Sequence, residues 1–106
     1  MIEFESTQWH ERKKKRQELE ERGYVSSVWI AGRLHEFKMP ETAKRRTLFD
    51  DMKKAVKNSE SIEAISLDID GVSKMYYKLQ DVQVVINLAA DYRSALSKKL
   101  TEHRGE

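Results

Sequence analysis

The sequence predicts an α+β fold of order αββαββα, in which two antiparallel β-hairpins form a small sheet covered by helices. Two hairpin patterns carry this prediction, one from Tyr24 to Met39 and one from Ile65 to Tyr77, each with a glycine at its turn. An amphipathic stretch of helical period follows each of them. We therefore expect a charged helical segment over residues 1–23 and a single α+β domain over residues 24–106.

The first predicted helix runs from Thr7 to Arg22 and is rich in Glu, Lys, Arg and Gln, which are good helix formers. Gly23 follows at the position where a left-handed residue commonly ends a helix. After the start, Trp9 and Leu19 are its only apolar residues, which are too few for a buried stripe. We therefore expect this helix to stand out from the domain or to pair with something else.

The first hairpin pattern has β-rich segments on both sides of the Ala31-Gly32 corner. A three-residue loop is favoured over a two-residue loop, because it places the large apolar residues on one side of the hairpin. These residues are Val25, Trp29, Phe37 and Met39.

The second predicted helix covers Thr42–Lys57, with Pro40 suited to its first turn. Its basic cluster Lys44-Arg45-Arg46 lies at the end where cations oppose the helix dipole. One face carries the apolar residues that should pack on the sheet: Leu48, Phe49, Met52, Ala55 and Val56. The second hairpin follows, since apolar residues alternate with polar ones from Ile65 into the Asp70-Gly71 turn.

The final helix is predicted from about Gln80 to His103, which is long for a small domain. Its apolar stripe starts at Val82 and recurs at helical spacing as far as Leu100. A stripe longer than the sheet can cover is commonly buried by a partner. The candidate face for a second copy or another protein is Val85, Ala89, Tyr92, Leu96 and Leu100.

Composition excludes several kinds of site. The chain has 106 residues and no cysteine, so it holds neither a disulfide nor a thiolate metal site. Its net charge of +2 produces no strong global field toward nucleic acid or anionic lipid. The N-terminal residues lack a secretion pattern and no apolar run reaches membrane-spanning length, so we expect a cytoplasmic protein with no membrane partner.

A basic run, Arg12, Lys13, Lys14, Lys15 and Arg16, is a candidate patch for nucleic acid. The alternative is a solvated helix face, which is favoured because glutamates on both sides of the run partly neutralise it. These glutamates are Glu11, Glu18, Glu20 and Glu21.

No catalytic, cofactor-binding or metal-ligating residue is predicted, and no cofactor is expected. Asp68-Ile69-Asp70-Gly71 matches the opening of a calcium loop, but Leu79 stands where the bidentate glutamate is required. The three histidines lie on separate predicted elements, and no nucleophile or phosphate-loop motif is present. The residues therefore favour an interaction domain over an enzyme.

The chain resembles a domain of bacteriophage and prophage tail-fibre-associated proteins from about Glu11 onward. The resemblance is carried by Arg22-Gly23-Tyr24, Trp29 to Gly32, Phe37, Leu67 to Gly71 and Tyr92. It implies a virion component or an assembly factor that acts through protein contacts, with no catalytic residue.

We therefore expect a non-enzymatic protein that self-associates or binds another protein, in the host cytoplasm or the virion. The alternatives are a small nucleic-acid-binding or regulatory phage protein that acts through the basic helix, and an inhibitor of a host protein.

Overall fold

The computed structural model describes the backbone of residues 1–104 and the side chains of residues 1–100. Its strands are β1 (Ile2–Thr7), β2 (Tyr24–Ser26), β3 (Ala64–Ile69) and β4 (Val72–Lys78). Its α-helices are α1 (Arg12–Glu21), α2 (Ser27–Ala31), α3 (Leu48–Lys57) and α4 (Val82–Arg104). Short 3₁₀ turns cover Trp9–Glu11, Leu34–Glu36 and Leu79–Asp81. The predicted α+β class is confirmed.

The four strands form one mixed sheet in the order β1-β3-β4-β2. Strand β1 runs parallel to β3, with Ile2 opposite Ala64, whereas β4 is antiparallel to both β3 and β2. The prediction of a sheet made from two antiparallel hairpins is therefore wrong, since one pair of strands is parallel and only the second hairpin is present.

The second hairpin is confirmed with its turn at Asp70-Gly71. Both residues have positive φ, 49° and 89°, as a two-residue hairpin turn of type I′ requires. The Asp68 carboxylate accepts a hydrogen bond of 2.7 Å from the Gly71 backbone N–H, which fixes the turn from within the hairpin.

The first predicted hairpin does not form. The chain leaves the sheet after Ser26, whose hydroxyl accepts a hydrogen bond of 3.1 Å from the Trp29 backbone N–H and caps α2. Gly32, the expected corner, has a helical φ of −74°. The expected apolar set still packs on one core cluster, from β2, α2 and the following loop. Its members are Val25, Trp29, Phe37 and Met39.

Strand β1 was not predicted, because its partner β3 lies about sixty residues further along the chain. Its beginning is held beside the end of α3 by Met1. The Met1 amino group donates hydrogen bonds of 2.8, 2.6 and 2.8 Å to the carbonyls of Val56, Ser59 and Ile62.

Helix α1 packs on the sheet, and the expectation that it stands out from the domain is wrong. Leu19 is fully buried (0% exposed), and this single side chain ties a highly charged helix to one face of the sheet. It packs in a cluster with Tyr24, Ile65, Leu67, Ile69 and Tyr76. A helix with one buried anchor needs no full apolar stripe when the sheet supplies the rest of the core.

Helices α3 and α4 cover the other face of the sheet, as predicted for the second and third helices of the sequence pattern. Helix α3 begins at Leu48 and not at Thr42, because the basic cluster before it would oppose the dipole and Asp50 and Asp51 in the observed first turn complement it. The buried residues on this face are Ile30, Leu48, Met52, Val56, Ile62, Ala64, Tyr77, Val82, Val85, Ile86 and Ala89.

Substituting Gly71 by Ala should lower the free energy of unfolding by about 1 kcal/mol or more, because an L side chain resists the positive φ of this turn. Gly32→Ala is the matched control. Gly32 has a helical φ, and an added Cβ would meet only ordinary contacts, 3.7 Å from the Trp29 carbonyl oxygen. Urea unfolding measures both variants, and equal losses would contradict the assignment of strain to the turn.

Candidate interaction surfaces

Helix α4 extends well beyond its partner helix. It has 23 residues, about 34 Å of helix, whereas α3 has 10 residues, about 15 Å. The described structure measures 54 × 28 × 24 Å, so one axis is about twice the others. The C-terminal part of α4 therefore has no facing helix of equal length.

The five residues of the predicted partner face divide between core and surface. Val85 and Ala89 are fully buried against α3 and the sheet, so they do not belong to a partner face. Tyr92 and Leu96 are partly buried, and Leu100 is 55% exposed. The apolar stripe thus passes from core to solvent along α4, and we call Tyr92, Leu96 and Leu100 the α4 tip.

An ion pair between buried Asp51 and partly buried Arg93 joins the first turn of α3 to the middle of α4. Arg93 donates from Nη2 to Oδ1 of Asp51 at 2.7 Å and from Nε to Oδ2 at 3.0 Å. The Thr47 hydroxyl donates to Oδ2 at 3.0 Å, and Asp51 is only 1% exposed. The hydrogen bonds to Asp51 raise the pKa of Arg93 above its ordinary value. Asp51 therefore serves as a structural acceptor that joins the two helices.

Arg93→Met should lower the melting temperature by about 5 °C or more, because it leaves the buried Asp51 carboxylate with Thr47 as its remaining side-chain donor. The double variant Asp51→Leu/Arg93→Met should melt at a higher temperature than Arg93→Met alone, since it removes the unpaired charge as well. Thermal unfolding followed by circular dichroism checks this order. A double variant that melts at or below the melting temperature of Arg93→Met would contradict it.

The predicted basic patch is divided around α1. Five consecutive helical residues cover more than one turn, so they cannot share a face. Arg12 stacks on Trp9, with its guanidinium carbon 3.8 Å from the ring centroid, and donates to the Trp9 carbonyl at 2.8 Å. Lys15 forms ion pairs with Glu5 at 3.4 Å and Glu18 at 3.7 Å.

The other three cations point in different directions. Arg16 lines a groove beside Tyr76. Burial raises the pKa of the Tyr76 hydroxyl, and the positive charge of Arg16 acts in the opposite direction. Lys13 and Lys14 are exposed. The run thus presents two freely solvated lysines instead of a continuous track of five cations.

Replacing Lys13, Lys14 and Lys15 by Gln should change the free energy of unfolding by less than about 0.5 kcal/mol per site, because exposed ion pairs contribute little. Wild-type protein should show only weak, non-specific binding to duplex DNA in an anisotropy titration at low salt. The result that would contradict this interpretation is a sub-micromolar DNA complex whose affinity falls steeply with salt, together with a smaller salt dependence in the triple variant. Such a result would show that the basic residues act together as one DNA-binding patch.

A groove of about 320 Å³ lies between α1, β2 and α2 and was not expected from the sequence. Its wall is aromatic, from Tyr24, Trp29 and Tyr76, and Arg16 and Lys74 supply its cations. Glu20 is the one carboxylate among its lining residues. The lining therefore offers no carboxylate pair or histidine for acid and base catalysis.

The carboxylates at the hairpin turn bind backbone groups. Asp68 accepts from Gly71, and Asp70 accepts from the Trp9 backbone N–H at 2.9 Å, which ties the start of the 3₁₀ turn before α1 to the hairpin. Among the described residues, no group of three or more His, Asp or Glu side chains is placed to hold a metal ion.

A second surface that sequence reasoning missed is the outer edge of β1. Phe4, in the middle of this strand, is 78% exposed, more than any other large apolar residue whose side chain the structure describes. The signal was present in the alternation of Ile2, Glu3, Phe4 and Glu5.

No protein-family model, curated protein or solved structure matches this chain. The resemblance to the phage tail-fibre-associated domain therefore stays a prediction. Within the part of the chain that the structure describes, no helix has the length and apolar character needed to cross a bilayer.

Proposed function

We propose that this chain is a non-enzymatic protein-binding domain that self-associates through the α4 tip. The observation that carries the proposal is the exposure of Leu100 on the same stripe that is fully buried at Val85 and Ala89. One helix face thus supplies the core in its first half and an uncovered apolar surface in its second half. Exposed apolar surface that continues a core stripe is typical of a contact site.

A second copy fits this surface because the tips of two antiparallel helices present the same residues to each other around a two-fold axis. Each copy then contributes Tyr92, Leu96 and Leu100 at the spacing of a helix seam. Three apolar side chains per copy form a small interface, so the association requires a high protein concentration. The ion pair between Asp51 and Arg93 holds the helix in place immediately before the exposed turns.

The resemblance stated above supports a phage or prophage setting, in which the protein acts as a virion component or an assembly factor. A repeated structural role agrees with self-association, because virion parts are built from many copies in symmetric contact. The division of the basic run around α1 gives no comparable support to a nucleic-acid function.

The double variant Leu96→Asp/Leu100→Asp should remain monomeric at concentrations where the wild type associates, because buried carboxylates in the seam oppose pairing. Light scattering coupled to gel filtration measures the mass. Ala95→Asp is the matched control, since Ala95 is exposed and lies about 100° around the helix from Leu96. Its mass should equal that of the wild type.

Leu100→Asp alone separates folding from association, because Leu100 is already more than half exposed and its replacement should leave the melting temperature of the monomer unchanged. A wild type that stays monomeric at high micromolar concentration would overturn self-association through the α4 tip.

A further inference from the structure

The outer edge of β1 has no neighbour within the described structure, since β1 is the terminal strand of the sheet. The Met1 carbonyl accepts a hydrogen bond of 3.0 Å from the Ala64 backbone N–H. In a parallel ladder, alternate residues direct both backbone groups to the same neighbour. Ile2, Phe4 and Ser6 therefore direct their backbone N–H and C=O groups away from β3, toward the open edge.

The side chains along this edge differ between its two faces. Ile2 packs against the core, and Phe4 on the same face is the exposed apolar group. On the other face, Glu5 is paired with Lys15. The Glu3 side chain is exposed, and its carboxylate makes no hydrogen bond or ion pair with any described residue. The edge thus offers outward backbone groups, one free aromatic ring and one free carboxylate.

A second copy of β1 is a poor occupant of this edge. Antiparallel pairing about a two-fold axis that places Phe4 opposite Phe4 sets Glu3 against Glu5 of the other copy. The register that places Phe4 opposite Ile2 sets the two Glu3 side chains against each other. The register centred on Glu5 leaves Phe4 opposite the hydroxyl of Ser6. Each arrangement opposes like charges or leaves the ring without an apolar neighbour, which disfavours pairing between identical edges.

We propose that β1 is a docking edge for an extended segment of a different protein, in which an apolar residue lies opposite Phe4 and a basic residue lies opposite Glu3. Strand addition supplies main-chain hydrogen bonds at Ile2, Phe4 and Ser6, and the side chains on the two faces supply selectivity. The partner segment alternates apolar and basic residues, because Phe4 and Glu3 project from opposite faces of the strand.

The test uses a fluorescein-labelled, N-acetylated and C-amidated peptide of sequence Ser-Lys-Val-Lys-Val-Lys-Ser with the full-length chain in an anisotropy titration. A peptide with Glu in place of every Lys is the matched probe of charge. We expect saturable binding of the lysine peptide, and binding of the glutamate peptide weaker by at least about fivefold. Absence of saturable binding of the lysine peptide at millimolar protein would overturn the proposal.

Glu3→Lys should reverse the preference, so that the glutamate peptide binds more tightly than the lysine peptide. This gain of binding shows that the variant is folded, which a simple loss would not. Glu41→Lys is the control, because Glu41 is an exposed residue of the loop before α3 and carries the same charge change. A Glu3→Lys variant that keeps the wild-type preference would overturn the proposal.

Ser6→Pro tests the main-chain component. It removes an N–H that points to the open edge, while the ladder between β1 and β3 uses the N–H groups of the alternate residues. Peptide binding should fall at least about threefold with little change in melting temperature.

Unchanged binding in Ser6→Pro, or a change in the oligomeric mass caused by Glu3→Lys, would assign the edge to another role and overturn the proposal. Leu100→Asp should leave peptide binding unchanged, which separates this edge from the α4 tip.

Discussion

Strand β3 is covered on both of its faces, and this constraint positions the rest of the molecule. Ala64 points to the cluster beneath α3 and α4, while Ile65 and Leu67 point to the cluster beneath α1. A strand buried on both sides requires helices on both sides. The sheet therefore needs α1 as a cover, although that helix offers a single buried leucine, and it needs β1 and β4 as neighbours for its backbone groups.

The two candidate contact surfaces follow from how this central strand is surrounded. A small sheet built around β3 ends at β1, so one edge stays open with Phe4 exposed. Helix α4 is longer than its partner helix α3, so its described surface around Leu100 stays exposed. The strand edge, which we propose for a different protein, is thus separate from the α4 tip, which we propose for a second copy. An assembly protein that joins copies of itself to another component needs two such separate surfaces.

The sequence pattern correctly predicted those elements that depend only on residues close together in the chain. The Asp70-Gly71 turn needs two adjacent residues that tolerate positive φ, and the stripe of α4 needs only its own helical period. The hairpin predicted after Tyr24 is wrong because the β-branched and aromatic residues of that segment favour a strand. In the structure, the hydroxyl of Ser26 instead caps a helix there. The four apolar residues expected to share a side still pack against one core cluster, but they are only partly buried, and the fully buried residue of that segment, Ile30, was not among them.

By itself, the sequence determined the α+β class, the second hairpin, the long final helix and the apolar faces of α3 and of the first half of α4, because each depends on residue type and spacing within a short window. Only the tertiary structure decided that β1 joins the sheet, that Leu19 anchors α1, and that the final stripe divides between core and surface near Arg93. The physical reason is that parallel pairing and helix docking join segments tens of residues apart. Their free energy comes from surfaces that exist only after the chain has folded.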